Sequence, residues 1–445
     1  MINNLIKRNS LLDYSFVFML IVYAGKATTF VRSIESWENL IGLLFPIIFS
    51  LIIAFYYRVK ISKRFAYLLI GFLIYNLAVT YKFQVFHPRF MGIYLISFSI
   101  SYIAISSLGI RIFHYYERIL YYLCIIALFF WGIQFIIPET LINILQIISF
   151  SEPGSGNVES NIIVYTIPNL TGFESYEMNF GLFSVIRNAG FAWEPGSFAC
   201  YINLAIFLNL IRTKFTIHNN KKLYIFIIAL ITTFSTTGFA ILMLLIVFYV
   251  YNQNLKYIIL FAPISIVLIF YILFLPFMTE KIIDVSEYDT DAMIEHSINN
   301  DTNPTPQRIE SLQIDFIDFH NNPILGYGGH LEERWTEKLG ANISTISGIG
   351  KVMAVFGIVG ILFFIVQLTM TSMEFTKIFH FRGWGFQFFL IIMISISYSI
   401  IFTPLLMCFW VLNTSYLSNK LPRNRTMRYQ NQKIYSIVQK QNRPM

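Results

Sequence analysis

Long apolar runs separated by short charged stretches dominate the order of residues. Uninterrupted runs lie near 11–31, 40–57, 65–83, 90–110, 119–137, 197–212, 257–275 and 348–370. Each matches the length of a helix that crosses a bilayer. Two further runs, 223–251 and 385–418, are too long for one crossing. Basic residues flank each of them on both sides: Lys221 and Lys222 against Lys256, and Lys377 and Arg382 against Lys420 and Arg423. Each run therefore begins and ends on one side and is predicted to form two short helices. The expected tips are Ser235-Thr236-Thr237-Gly238 and Thr403-Pro404, where proline removes a helix hydrogen bond. The pattern predicts an all-α polytopic membrane protein of about 12 spans, a single membrane domain over 1–445. It leaves external loops at 138–196 and 276–347, which are expected to carry short helices, and a basic cytoplasmic tail at 419–445.

Composition sharpens this reading. The chain is 56% hydrophobic and 13% charged, about half the charge of a soluble domain, so no sizeable soluble catalytic domain remains. The net charge of +8 would suggest nucleic acid on a folded domain, but the basic residues sit in short runs between spans. Loops assigned inside carry 22 Lys and Arg against 9 outside, the asymmetry of a cytoplasmic face. Cys124, Cys200 and Cys408 lie far apart in apolar runs and read as core residues, not as a disulfide framework or thiolate site. Lys7 and Arg8 precede the first run, which Lys26 interrupts, with no convincing cleavage site. A retained signal-anchor helix is expected.

Function is then sought in the two external loops, which hold most of the polar residues that span-building does not require. Within the second, Ile309, Leu312, Phe316 and Phe319 recur at helical spacing. They predict an amphipathic helix over Thr305 to His320, on the outer membrane surface or above a cavity. Arg187 to Ala199 precedes the sixth span: Pro195 and Gly196 turn the chain, Ser197 is a plausible N-cap, and Glu194 stands at the mouth of the helix. A capped helix start with hydrated charges would explain the same residues, as it does for the second Glu-Pro-Gly at 152–154. Arg308 lacks an acid three or four residues on, so no local ion pair accounts for it. Its segment ends in Asn322-Pro323-Ile324-Leu325-Gly326-Tyr327-Gly328, a turn whose glycines let backbone amides approach a ligand. The Ser-Thr-Thr-Gly tip is either a polar cavity lining or a packing device. His320 and His330 are loop histidines that serve as a base, as phosphate partners or simply as solvated groups. Asp289-Thr290-Asp291 has the spacing of a metal–diphosphate motif, but on the side away from nucleotide sugars. Lys82, His87 and Arg89 stand at the outer ends of the third and fourth spans, to meet a lipid phosphate or to snorkel.

At these residues the sequence resembles the O-antigen polymerase and ligase superfamily of GT-C-type glycosyltransferases, and most closely the Wzy-type polysaccharide polymerases. The matching pieces are R-N-x-G-x-x-W-E-P-G-x-F-A at 187–199, T-x-S-T-T-G at 233–238, R…N-P-I-L-G-Y-G from 308 to 328, and Phe356-Gly357-Ile358-Val359-Gly360 on the following span. They fall in order over the C-terminal part of the chain; the first five spans match only as hydrophobic helices. Ligases of the superfamily place a histidine ahead of the G-I-x-G run where this chain has Ile346, which favours the polymerase branch.

The resemblance implies transfer of a polyprenyl-diphosphate-linked glycan, such as one on undecaprenyl diphosphate, onto a sugar hydroxyl of a second lipid-linked repeat unit. The reaction would build a lipopolysaccharide or capsule polymer on the outer face of a bacterial inner membrane. Such a donor is already activated, and the barrier is departure of a diphosphate, so the enzyme must stabilise negative charge. Arginine pairs with phosphate bidentately. Arg187 and Arg308 are therefore expected to grip the diphosphate, with amides near Gly326 and Gly328 as secondary donors. Glu194 is expected either to act as base or acceptor-positioning group or to orient Arg187. Trp193, Tyr327 and Trp335 offer stacking faces for sugars. No cofactor, metal or nucleic acid is expected; membrane lipid and a chain-length regulator are the expected partners. A glycan ligase and a lipid-glycan flippase or other carrier remain as alternatives. A carrier usually places ionisable residues deep in its spans, where here only Lys26 and Asp13 qualify.

Overall fold

The computed structural model describes residues 10–27, 40–148, 158–168, 177–179, 184–253, 295, 298, 306, 308–341 and 343–415. The predicted span at 257–275, the tail 419–445 and the Asp289-Thr290-Asp291 motif lie outside the described residues. The chain is mainly helical. Among the described residues five helices are long and apolar enough to cross a membrane: α3 (Lys63–Phe83), α4 (Pro88–Leu108), α5 (Arg111–Ile136), α9 (Thr236–Gln253) and α11 (Gly348–Phe379). Three shorter apolar helices join them: α1 (Ser10–Gly25), α2 (Leu40–Tyr57) and α12 (Gly385–Ser397).

The sixth apolar run forms α7 (Pro195–Arg212), and it differs from the other described runs. Every residue from Pro195 to Ile211 is buried, whereas α3 turns Tyr67, Ile74, Leu77 and Tyr81 outward. A helix apolar all round is a core pillar. It packs against α5, α9 and α8 (Lys221–Thr232). Helices gain little from the hydrophobic effect inside a bilayer, so close approach and hydrogen bonds must hold them. Gly238 supplies the approach, since a Cβ there would stand 2.7 Å from Cβ of Ala199. Asn203 supplies the bond, donating to the carbonyls of Ala199 and Gly238, both at 2.9 Å.

The two long runs return to the side they left. The first breaks at Thr233–Ser235, with Phe234 in left-handed backbone, and Gln253 at the far end of α9 donates to the Phe215 carbonyl just beyond α7. The second breaks earlier than predicted, at Tyr398 rather than Thr403-Pro404. Its return is a chain of 3-10 turns and one short helical turn (Pro404–Met407), all buried from Leu405 to Ser415. Irregular backbone is tolerated at that depth because protein surrounds it: Gln387 donates to the Phe409 carbonyl, and Thr371 to that of Trp410.

The loop after α5 departs from the all-α expectation. After a short helix α6 (Pro138–Ile147) come two hairpins, β1–β2 (Val158–Ile162, Tyr165–Pro168) and β3–β4 (Glu177–Asn179, Ser184–Ile186). The first turns at Ile163-Val164, without the glycine or asparagine that would have marked it in sequence. The loop at 276–347 contains α10 (Arg308–Asn321), the predicted amphipathic helix. Its buried side carries Ser311, Asp315 and Asp318 together with Ile314, while Phe316 is exposed. Hydrogen bonds hold that polar face: Thr345 donates to Asp315, while Arg334 and the Trp335 amide donate to Asp318.

α11 is not continuous. Gly357 takes φ 63°, and the Asn322–Gly328 turn is inserted at the break. The Ile358 amide bonds to the Pro323 carbonyl at 2.8 Å, and the Tyr327 and Gly328 amides bond to Ala354 and Val355 at 2.9 Å. A Cβ on Gly357 would meet the Ile324 carbonyl oxygen at 2.4 Å, so only glycine fits.

Candidate functional site

The segment 187–198 is pinned from three sides. The Arg187 Nε donates to the Thr233 carbonyl at 3.0 Å, and Asn188 bonds through its amide and side chain to Thr232. The Gly190 carbonyl accepts from Thr166 of β2, and the Trp193 amide donates to the Gly25 carbonyl at the end of α1. α1 stops there: Lys26, expected inside a longer span, instead has left-handed backbone, bridges to Ala192 and holds its ammonium 5.8 Å from the Trp193 ring centre. The Ser-Thr-Thr-Gly tip serves chiefly as packing and anchorage, with Ser235 accepting from the Gly238 amide and Thr237 at 3.0 Å from Ser397.

Glu194, not Ser197, is the N-cap residue of α7, with Pro195 following at the first helical position. Its side chain makes no capping bond and points instead toward Arg308, Oε1 to Nη2 at 3.9 Å. Between them stands Tyr398, the residue at which α12 ends in extended backbone. The Arg308 Nη2 donates to the Tyr398 hydroxyl, which sits close enough to Glu194 for its carboxylate to act on the phenol electrostatically. The guanidinium also lies over the Tyr398 ring at 4.8 Å, and the Trp193 ring meets that of Tyr398 edge-on at 6.0 Å. Gly196 makes room for the cluster: a Cβ there would fall 1.8 Å from the Tyr398 hydroxyl and 3.0 Å from the Arg308 Nη2. The Glu-Pro-Gly motif therefore has a complete physical account, with a carboxylate freed from capping, a helix start and a gap for two partners.

Arg308 and Glu194 each keep about a quarter of their side chains exposed, and the Arg308 Nε, although buried, has no hydrogen-bond partner among the described residues. A guanidinium 3.9 Å from its carboxylate, with a donor unused, has capacity for an oxyanion. The start of α7 adds unpaired amides at the positive end of a helix dipole beside it.

Other predicted residues do not join this cluster. The Gly326 and Gly328 amides are spent on Asn322 and Val355, so they are not secondary donors. Tyr327 is buried against Ala354 and Val355 and offers no face to a sugar. α10 separates Arg308 from His320 by roughly 18 Å at 1.5 Å per residue. His320 is exposed beyond that distance. His330 is buried further on, its Nδ1 beside His87 and Glu332 and its imidazole pushed toward the neutral form by burial. Lys82, predicted to meet lipid phosphate or snorkel, donates to the Asn322 side chain at 2.5 Å and so holds the inserted turn. Tyr398 was missed: it is one of 27 tyrosines, in a run read only as span.

A second feature is a cavity of about 520 Å³ between α3 and α11, with α4 as its floor. Tyr67, Phe72 and Tyr75 face Phe356, Phe363 and Phe364 across it, with Arg64 and Asn413 at one end and Tyr94 and Phe402 toward the other. No family model matches the chain, and no curated protein or solved structure matches it.

Proposed function

We propose that this chain is a glycosyltransferase of the polysaccharide-polymerase type, with about 12 spans, acting on the outer face of its membrane. The observation that carries the reading is the Arg308–Tyr398–Glu194 cluster at the start of a fully buried helix. In this reading Arg308, assisted by the first amides of α7, holds the diphosphate of a polyprenyl-linked glycan. The acceptor sugar's hydroxyl oxygen forms a bond to the anomeric carbon while the bond from that carbon to the phosphate oxygen breaks. The electron pair leaves on the diphosphate, where Arg308 meets it, and the hydroxyl proton passes to Glu194. Tyr398 fixes the two side chains relative to each other, and Trp193 offers the acceptor a stacking face. Arg187, bonded to the Thr233 carbonyl, acts by positioning the Glu194 segment.

The aromatic cavity supports the same donor class, since branched isoprenyl units suit an apolar slot flanked by rings, and Phe402 on its wall is four residues from Tyr398. The test is deletion of the gene in its host, with complementation by wild type or Arg308→Ala. Single repeat units accumulating on lipid, with polymer restored only by wild type, is the expected result. Full-length polymer left on the carrier lipid would point to a ligase, and repeat units trapped on the inner leaflet to a flippase.

A further inference from the structure

At the outer ends of α3 and α4, three lone-pair-bearing atoms converge from two distant parts of the chain. The His87 Nε2 and His330 Nδ1 are 3.0 Å apart, the Glu332 Oε1 is 3.2 Å from His330 Nδ1 and 3.9 Å from His87 Nε2. A point about 2.0 Å from all three closes that triangle, which is the usual length of a zinc–imidazole or zinc–carboxylate bond. Hydrogen bonding alone serves the group poorly. A neutral His330 has one proton at most to share on Nδ1 between two acceptors, while its Nε2 is buried with no bond partner. A cation at the centre takes up all three lone pairs and leaves Nε2 to carry the tautomeric proton, with the Phe83 and His330 rings 4.4 Å apart between centres.

The surroundings are built and rigid. His87 is the N-cap residue of α4, fixed by Pro88 after it. His330 follows Gly328 and Gly329, which are wedged in the fork of the two helices: a Cβ on either would stand 2.3 Å from Val79 or 2.6 Å from Phe90. His330 is 1% exposed, whereas the Glu332 side chain is 62% exposed, so an ion has a route in and a position left for water. We propose that His87, His330 and Glu332 bind a zinc-class divalent cation that clasps the inserted 322–330 turn to the α3–α4 hairpin. Imidazole with carboxylate is a donor set suited to zinc and its neighbours. The sequence reading expected no metal, because the two histidines are 243 residues apart and form no spacing motif.

The inference does not rest on the glycosyl-transfer reading. Tag-free full-length protein in detergent is stripped with a chelator, then titrated with Co²⁺ and with Zn²⁺. One ion per chain is expected, with visible ligand-field bands for Co²⁺ and a raised Tm for Zn²⁺. Losing an outer-shell partner of a metal ligand already costs about 10–100-fold in affinity, so His87→Gln and Glu332→Gln, which alter a half-buried and an exposed group, should each weaken binding by about 100-fold or more. His320→Gln and Arg308→Ala should bind as wild type does. Absence of saturable binding, or binding that survives both ligand substitutions, overturns the proposal. Metal binding without polymerase activity would instead sink only the functional reading.

Discussion

Two clusters among the described residues set a glutamate beside an arginine, one buried and one a quarter exposed, and they are built for opposite ends. Glu117 on α5 is saturated: Arg212 donates to both its oxygens at 2.6 and 2.9 Å, Lys222 reaches it at 3.2 Å and Asn209 at 2.9 Å. Together they tie α5, α7 and the start of α8 at the end where basic residues collect. Glu194 on the other end of α7 has its arginine at 3.9 Å, a tyrosine between them, and an arginine nitrogen with no partner. The first leaves its carboxylate no free acceptor position. The second keeps its charge uncommitted, which costs stability and is what an anion site requires.

That contrast can be broken by substitution. Arg308→Ala should have the largest effect on function, with polymer formation lowered about 10²–10³-fold, the loss seen when a transition-state charge partner is removed, and with Tm nearly unchanged. Loss of fold instead would make Arg308 a structural tie like Arg212. Glu194→Gln comes next: about 10²-fold slower turnover at unchanged donor binding, since removing a base acts on the chemical step. Turnover equal to wild type would take Glu194 out of the chemistry. Glu117→Gln should do the reverse, costing about 2 kcal/mol of stability through weakened charged hydrogen bonds, with normal activity per folded molecule. Thermal denaturation beside a polymer assay separates the two patterns.

The smallest effect concerns Asp315, on the buried polar side of α10. Burial pushes its carboxyl up to about 7, and its Oδ2 has no hydrogen-bond partner. The folded protein keeps a proton that the unfolded chain releases near pH 4, so this group's contribution is complete below that pH and is lost as pH rises toward 7. The wild-type Tm should fall by a few degrees between pH 5 and pH 8, and Asp315→Asn should flatten that slope. An unchanged slope would mean that Asp315 is ionised in the fold.

How much was legible follows from which forces act locally. The apolar runs announced themselves because a bilayer demands about 20 consecutive apolar residues wherever a helix crosses. The same demand hid the role of α7: a helix facing lipid and a helix facing protein are equally apolar, and only packing separates them. The amphipathic spacing gave the helix but not that its polar side, Ser311, Asp315 and Asp318, packs inward against the chain. Polar partners, Thr345 and Arg334, decided that, and they lie beyond its own sequence.

Sequence by itself determined that the chain builds long apolar helices, that the two long runs must double back, and that Glu194 and Arg308 fall between apolar runs. Tertiary structure decided that those two meet through Tyr398, that Gly326 and Gly328 serve a broken helix instead of a ligand, and that His87 finds His330. Hydropathy and turn chemistry act between neighbours in the chain, so they can be read in order. Side-chain convergence depends on how helices pack, and in a membrane that is set by close approach at a few small residues such as Gly196 and Gly238.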